Sequence, residues 1–115
     1  MAFPGTYNFN YYRGDTNQFI IRPKNANGES FSLTGYTADY FVANRRGATG
    51  TQYEANAVVD TVNNIVTCTI TPSVGRTIPA GTHVYDVQIN TSGNAQVYTL
   101  LTGTITVTDD ITGAV

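Results

Sequence analysis

The stretch VYTLLTGTITVT, residues 97–108, alternates two sets of side chains along its whole length. Residues 84–90, VYDVQIN, alternate in the same way. A period of two residues is typical of β-strands that have one buried face. Placing Leu101 in the buried set of the last strand leaves Tyr98 and Leu100 on its outer face.

The rest of the chain consists of short alternating runs that are separated by Gly, Asn and Pro. Turn signals recur about every 8–12 residues, which predicts seven or eight strands in an all-β fold. We expect an antiparallel two-sheet β-sandwich of immunoglobulin-like shape. The side chains predicted to face its core are Phe19, Ile21, Ala38, Tyr40, Val42, Val66, Cys68, Ile70, Tyr85, Val87, Ile89, Leu101, Ile105 and Val107.

The 115 residues fit a single domain. We expect residues 1–12 to form an N-terminal arm or a first strand, residues 13–108 the sandwich, and residues 109–115 a flexible tail. No apolar run approaches the ~20 residues of a membrane helix. Residues 1–5 lack the basic start and apolar stretch of a signal peptide. We therefore expect no membrane contact, and a chain that stays in a cytoplasm until it assembles.

Charged residues are scarce, at 12% of the chain, against about 25% in typical soluble domains. A surface with so few charges is weakly protected against association. Two interpretations stay open: ordinary drift of composition, or a surface that partner subunits cover. The six basic residues are scattered and the net charge is −2, so we expect no nucleic-acid binding, which needs a basic face.

Residues that could perform chemistry are few. His83 is the one histidine, and Asp86, three positions along the same strand, falls on the opposite face, where it cannot orient the imidazole. Cys68 is the one cysteine and shares a face with Val66 and Ile70, so we interpret it as a buried apolar side chain. No metal-ligand spacing and no phosphate-binding loop are present. We expect no cofactor, no metal and no catalysis.

Apolar side chains on outward phases are better candidates for function, because patches of them mark interfaces. Ile20, Phe41, Tyr98 and Leu100 fall on such phases. The N-terminal arm adds the aromatic residues Phe3, Tyr7, Phe9, Tyr11 and Tyr12. Such an arm could add a strand to a neighbouring subunit, in which case the domain should fold without it, or its rings could close the core of their own domain.

Several short motifs are similar in order and spacing to one family of virion proteins. Residues 12–16, YRGDT, followed by Phe19 and Ile21, resemble the opening of the family's domain, as do residues 32–40, SLTGYTADY. Two further motifs, PAGTHVYDV at 79–87 and LTGTITV at 101–107, resemble its last two strands. Over residues 10–108, the chain thus resembles the N-terminal domain of tailed-phage baseplate upper proteins and related Ig-like virion proteins.

This resemblance implies a structural protein of the virion, made in the host cytoplasm and repeated around a symmetric particle. The implied partners are other virion proteins and copies of the chain itself, in a symmetric homo-oligomer. The implied role is a tail, baseplate or adaptor component, with capsid decoration (cement) as an alternative. A carbohydrate- or receptor-binding module is the alternative from another class, because rings such as Tyr53 and Tyr98 can stack on sugars.

Overall fold

The computed structural model describes residues 5–24, 27–44, 52–91 and 96–109. The strands are β1 (Gly5–Thr6), β2 (Phe9–Tyr12), β3 (Asn17–Ile21), β4 (Tyr36–Ala43), β5 (Gln52–Asp60), β6 (Ile65–Ile70), β7 (Gly81–Thr91) and β8 (Val97–Thr108). One short helix, α1 (Pro72–Gly75), joins β6 to β7. None of the helical structure in these ranges is long and apolar enough to cross a bilayer.

The eight strands form one curled sheet in the order β1-β8-β7-β4-β5-β6-β3, with β2 also paired to β8. The predicted all-β class is therefore confirmed. Both N-terminal strands run parallel to β8, whereas the other pairs are antiparallel. The sheet is mixed, so the expectation of a wholly antiparallel arrangement is wrong at the N-terminus.

Strand β5 connects the two parts of the curled sheet, because it pairs with β4 at its start and with β6 at its end. Its first residues pair with β4, from Gln52 opposite Ala43 to Ala55 opposite Tyr40. Residues 56–60 leave β4 and pair with β6 instead. We call β1, β2, β8, β7, β4 and the start of β5 the large half of the sheet, and β3, β6 and the end of β5 the small half.

The core lies on the concave side of the curl. Its buried members are Tyr11, Leu33, Tyr40, Val42, Ala55, Val66, Cys68, Ile70, Ile78, Tyr85, Val87, Ile89, Leu100, Ile105 and Val107. Ten of the predicted core residues belong to this set, and Phe19, Ile21, Ala38 and Leu101 pack against it while partly exposed. Leu33 and Ile78 come from connections outside the strands, where no alternation marks them.

The outward placement of Tyr98 and Leu100 is wrong, because β8 changes phase in mid-strand. Its pairing with β7 shifts register after Val87, which lies opposite Leu101, while Ile89 lies opposite Tyr98. This bulge adds one residue to β8 and reverses the alternation on one side of it. As a result Leu100 is only 2% exposed, and the Tyr98 ring packs inward against the core.

The N-terminal arm is a strand of the domain's own sheet. The register with β8 is constant, from Gly5 opposite Leu101 to Tyr12 opposite Thr108. Between β1 and β2, the Asn8 side-chain oxygen accepts a 2.9 Å bond from the Thr104 amide. This side-chain bond takes the place of a backbone bond and keeps β1 and β2 in the same register with β8. The arrangement does not support our expectation that the domain folds without its arm.

The first prediction concerns the phase of β8. Leu100→Ala should lower the free energy of unfolding by about 2–5 kcal/mol, because it removes a fully packed side chain. The adjacent Leu101→Ala is the matched comparison and should cost less, since Leu101 is partly exposed. Urea denaturation of both variants measures the difference. A larger loss for Leu101→Ala would show that the bulge is misplaced.

The second prediction concerns the close approach of the N-terminal strand to β8. A Cβ at Gly103 would collide with the Tyr7 carbonyl. Gly103→Ala should therefore cost about 1–3 kcal/mol of stability and loosen residues 5–12. At Gly5, an added Cβ would meet Leu101 Cδ1 at an ordinary 3.6 Å, so Gly5→Ala is the control and should stay within about 0.5 kcal/mol.

Chemical denaturation and amide exchange of β2 measure both glycine variants. Equal stability of Gly103→Ala and Gly5→Ala would contradict the parallel pairing.

Candidate interaction surfaces

A cluster of aromatic rings joins the two ends of the curled sheet. Phe19 on β3 lies with its ring centroid 5.6 Å from Tyr7 and 5.8 Å from Phe9. Tyr40 and Tyr85 form the floor beneath Phe19, at 5.8 and 6.3 Å. Edge-to-face pairs of this kind stabilise by about 0.5–1.5 kcal/mol beyond their buried area. Side chains therefore hold together two strands that share no backbone ladder in the described ranges.

The two tyrosines in the floor differ in how their hydroxyls are satisfied. The Tyr85 hydroxyl donates a 2.5 Å bond to the Tyr7 carbonyl. The Tyr40 hydroxyl is buried and has no hydrogen-bond partner in the described part of the chain. Burial raises the pKa of both phenols above the ordinary value for tyrosine. Both groups are therefore neutral at physiological pH, and only Tyr85 anchors the N-terminal strand.

An apolar groove, which we call the seam, opens over this cluster between the two ends of the sheet. It has a volume of about 370 Å³. Its lining residues are Tyr7, Phe19, Ile20, Ile21, Arg22 and Leu101. Strand β3 forms one wall, and its outer edge pairs with no strand of the described ranges. The seam therefore combines apolar surface with a free strand edge, which is the combination that strand addition requires.

The outer side of the small half, which we call the open face, carries three cross-strand rows. Gln18, Thr69 and Asn56 lie side by side in one row, and Ile20, Thr67 and Val58 in the next. The third row contains Ile65 and Asp60, with Arg22 directly after β3. Ile20 is 45% exposed and Val58 63%, so the centre of this face presents apolar side chains to solvent.

The outer side of the large half differs in charge. Phe41 lies there between Asp86 on β7 and Glu54 on β5. Asp39 shares this side of the sheet, and β4, β7 and β8 contain no Lys or Arg. Phe41 is only partly exposed. An apolar partner is therefore better accommodated on the open face than around Phe41.

The predicted interface residues divide into three groups. Tyr7, Tyr12 and Ile20 are exposed, and Phe41 is partly so. Phe9 and Tyr98 are half-buried against the core, while Tyr11 and Leu100 are buried within it. Phe3 lies outside the described residues. An outward interface role is thus wrong for Tyr11 and Leu100, and of the exposed residues only Tyr7 and Ile20 meet at one place, the seam.

Sequence reasoning missed three exposed valines: Val58, Val62 and Val97. The signal for Val58 was present, since β5 alternates between Ala55, Ala57 and Val59 on the inner side and Val58 on the outer side. Assigning a phase to that strand would have identified Val58 as an exposed apolar residue.

The two side chains that could perform chemistry, His83 and Cys68, are both buried. His83 is 6% exposed and its Nε2 donates a 2.7 Å bond to the Pro79 carbonyl. Burial raises the pKa of the Cys68 thiol to about 12, so the reactive thiolate is not populated at neutral pH. The described residues contain no group of three or more His, Cys, Asp or Glu side chains placed to hold a metal ion.

A second cleft lies where β5 leaves β4. It has a volume of about 380 Å³ and is lined by Ala38, Asp39, Glu54, Ala55, Asn56, Ala57 and Val58. Its lining is largely polar and small, which suits solvent better than an apolar side chain.

The comparisons with known proteins find similarity in structure alone. No protein-family model and no curated protein match the chain. Among solved structures, it is similar to a family 123 glycoside hydrolase from Clostridium perfringens that was studied for glycolipid glycan hydrolysis. The identity is 14%, the TM-score is 0.41, and the match covers 92% of this chain and 23% of the hydrolase. The chain thus spans about a quarter of that enzyme, and the likeness carries no inference about activity.

The third prediction separates the two buried tyrosines. Tyr40→Phe should leave the free energy of unfolding unchanged or raise it by up to about 1 kcal/mol, because it removes a buried hydroxyl without a partner. Tyr85→Phe should lower it by about 1 kcal/mol, because the bond to the Tyr7 carbonyl is lost. Urea denaturation of the two variants measures this. An equal loss in both would mean that the Tyr40 hydroxyl is bonded.

Proposed function

We propose that this chain is a structural protein of a bacteriophage virion, a tail, baseplate or adaptor component that acts by binding other virion proteins and copies of itself. The observation that carries the proposal is the seam, where a free strand edge borders an exposed apolar groove. The resemblance of residues 10–108 to Ig-like virion proteins supplies the biological setting. The proposed role requires no catalysis and no cofactor.

The finer fold assignment belongs to this proposal. We infer that the curled sheet is an immunoglobulin-like sandwich whose two layers are the large and small halves. The strand order supports this, because β3, β6 and the end of β5 correspond in sequence order to strands B, E and D. Likewise β4, β7 and β8 correspond to C, F and G, and β5 passes from one layer to the other.

The proposed mode of binding is addition of an extended segment at the seam. Within strand β3, with the sequence NQFII, there is no charge and no proline, and both are devices that discourage edge pairing. Arg22 and Pro23 follow directly after its last residue. A partner strand laid along β3 would direct alternate side chains toward Tyr7 and Leu101. The groove of about 370 Å³ lies beside this edge and could receive apolar side chains of such a strand.

The alternatives differ in their support. Capsid decoration would use the same surfaces at another place in the particle. A carbohydrate-binding module has less support, since stacking on sugars requires an open ring face. The Tyr53 and Tyr98 rings pack against the core, and Tyr98 also contacts Phe31 and Tyr36 at 6.0 and 6.2 Å. Of the described rings considered for this alternative, the exposed ones are Tyr7 and Tyr12 of the N-terminal arm.

The fourth prediction tests the function and the seam together. Tyr7→Lys places a charge at the rim of the groove and should reduce incorporation of the chain into particles by about tenfold, because the charge must be desolvated on binding. Tyr12→Lys is the matched control, since Tyr12 is exposed on the same N-terminal segment but does not line the groove. Quantitative mass spectrometry of purified particles of the encoding phage measures incorporation, with variant folding checked by circular dichroism.

The outcomes separate the claims. Absence of the wild-type chain from purified particles would overturn the virion role. Normal incorporation of Tyr7→Lys, or equal loss for Tyr12→Lys, would overturn the seam as the contact. Immunogold labelling of intact particles then distinguishes a tail or baseplate location from capsid decoration.

A further inference from the structure

We propose that the open face packs against the open face of a second copy, about a two-fold axis that runs along the strands. This inference rests on the proposed assembly function and deepens it, because it names one partner and one surface. It depends on the registers of β3, β6 and β5, which fix the position of every side chain on that face.

The side chains of the open face are arranged so that they could match those of a second open face. Thr67 and Thr69 on β6 form a central line, with Ile20 and Gln18 on the β3 side. Val58 and Asn56 occupy the matching positions on the β5 side. Neighbouring strands lie about 4.8 Å apart and successive rows about 7 Å apart. The face is therefore a regular grid in which Gln18 and Ile20 on β3 each have a β5 residue of similar character, Asn56 and Val58, at the mirrored position.

A two-fold rotation about the β6 direction exchanges those mirrored positions. It places β3 of one copy over β5 of the other, while β6 faces β6. Ile20 then packs on Val58 of the second copy, and Gln18 meets Asn56 of the second copy. Because β3 and β5 are both antiparallel to β6, the stacked strands run in the same direction, which is compatible with aligned packing of sheets.

Charge complementarity follows from the same rotation. Arg22 and Asp60 flank Ile65 at opposite sides of the third row. The rotation therefore places Arg22 of each copy over Asp60 of the other copy. Exposure alternates along residues 20–24, which places Arg22 on the same side as Ile20. The Asp60 carboxylate is held in place by bonds from the Asn63 side chain at 3.0 Å and the Val62 amide at 2.9 Å. Two opposite-charge pairs would therefore form per dimer without rearrangement of the turn.

The outer side of the large half does not offer the same contact. It carries Asp39, Glu54 and Asp86 on strands without basic residues, so two such surfaces would repel each other. A second copy is the occupant that the open face matches in all three rows. A different protein would have to reproduce the pattern that this chain already provides.

The size of the face predicts a weak dimer. Three strands of about six residues cover roughly 300 Å² of sheet, below the ~800 Å² per partner of a stable interface. Repetition around a particle compensates for weak single contacts, since linked sites raise the effective concentration.

The fifth prediction is a charge-swap experiment on the full chain. Arg22→Glu and Asp60→Lys should each abolish self-association, because like charges then meet in both pairs. An equimolar mixture of the two variants should restore association. In the mixed dimer the two substituted side chains face each other with opposite charges, and so do the two unchanged side chains. Sedimentation velocity up to about 1 mM, together with amide chemical-shift changes on dilution at residues of the open face, reports association. Circular dichroism checks that each variant folds.

Val58→Asp provides a second route if Asp60→Lys fails to fold. It should weaken association by about tenfold or more, while Val62→Asp, at an 87% exposed turn position off the face, should not. A wild-type protein that stays monomeric to about 1 mM, or a mixture that stays monomeric while the wild type associates, would overturn the inference. If the chain is monomeric but still enters particles, the dimer is overturned and the virion role is not. If the dimer forms but the chain is absent from particles, only the virion role is overturned.

Discussion

The parallel pairing of residues 5–12 with β8 is the constraint on which the rest of the structure depends. Gly103 lets the Tyr7 carbonyl approach β8, and the Tyr85 hydroxyl bonds that carbonyl from below. The pairing brings Tyr7 and Phe9 to the end of the large half, where they meet Phe19 of the small half. Those rings add to the buried core cluster, which also joins the two halves through Val66, Cys68 and Ile70 of β6.

The strands could be predicted from the sequence because each has one buried face, and alternation records it. That logic gave the correct phase for β4, β6 and β7, whose pairing with their neighbours is regular over most of their length. It failed in β8 because Leu100 and Leu101 are adjacent and equally apolar, so no pattern shows where the bulge lies. Leu33 and Ile78 were not predicted as core residues, because the connections between strands have no alternation of apolar and polar side chains. The parallel direction of the N-terminal strands depends on a contact across about 96 positions, as Gly5 with Leu101 shows, which no local pattern encodes.

The candidate surfaces were less predictable than the core. Ile20 could be identified from β3 alone, because one strand is enough to assign a phase. Its neighbours on the open face come from β5 and β6, and their rows exist only once the registers are known. Arg22 and Asp60 are 38 positions apart in the sequence and become related only through Ile65. Scarcity of charge pointed to association, but the fold was needed to show that Asp39, Glu54 and Asp86 share one outer side, whereas the open face carries Asp60 together with Arg22.

The seam and the open face meet at Ile20, yet they have different symmetry. A contact between identical open faces is isologous and closes at two copies. A strand added at the seam from a different surface of a neighbouring copy would make a heterologous contact, which can continue from subunit to subunit. A heterologous contact alone can give rings or filaments, and an isologous contact would then join such assemblies in pairs. Because both surfaces use β3, a segment bound along its free edge would also fix the position of Ile20. Because Ile20 belongs to both surfaces, occupation of the seam should change the strength of pairing at the open face, so the two contacts are not independent.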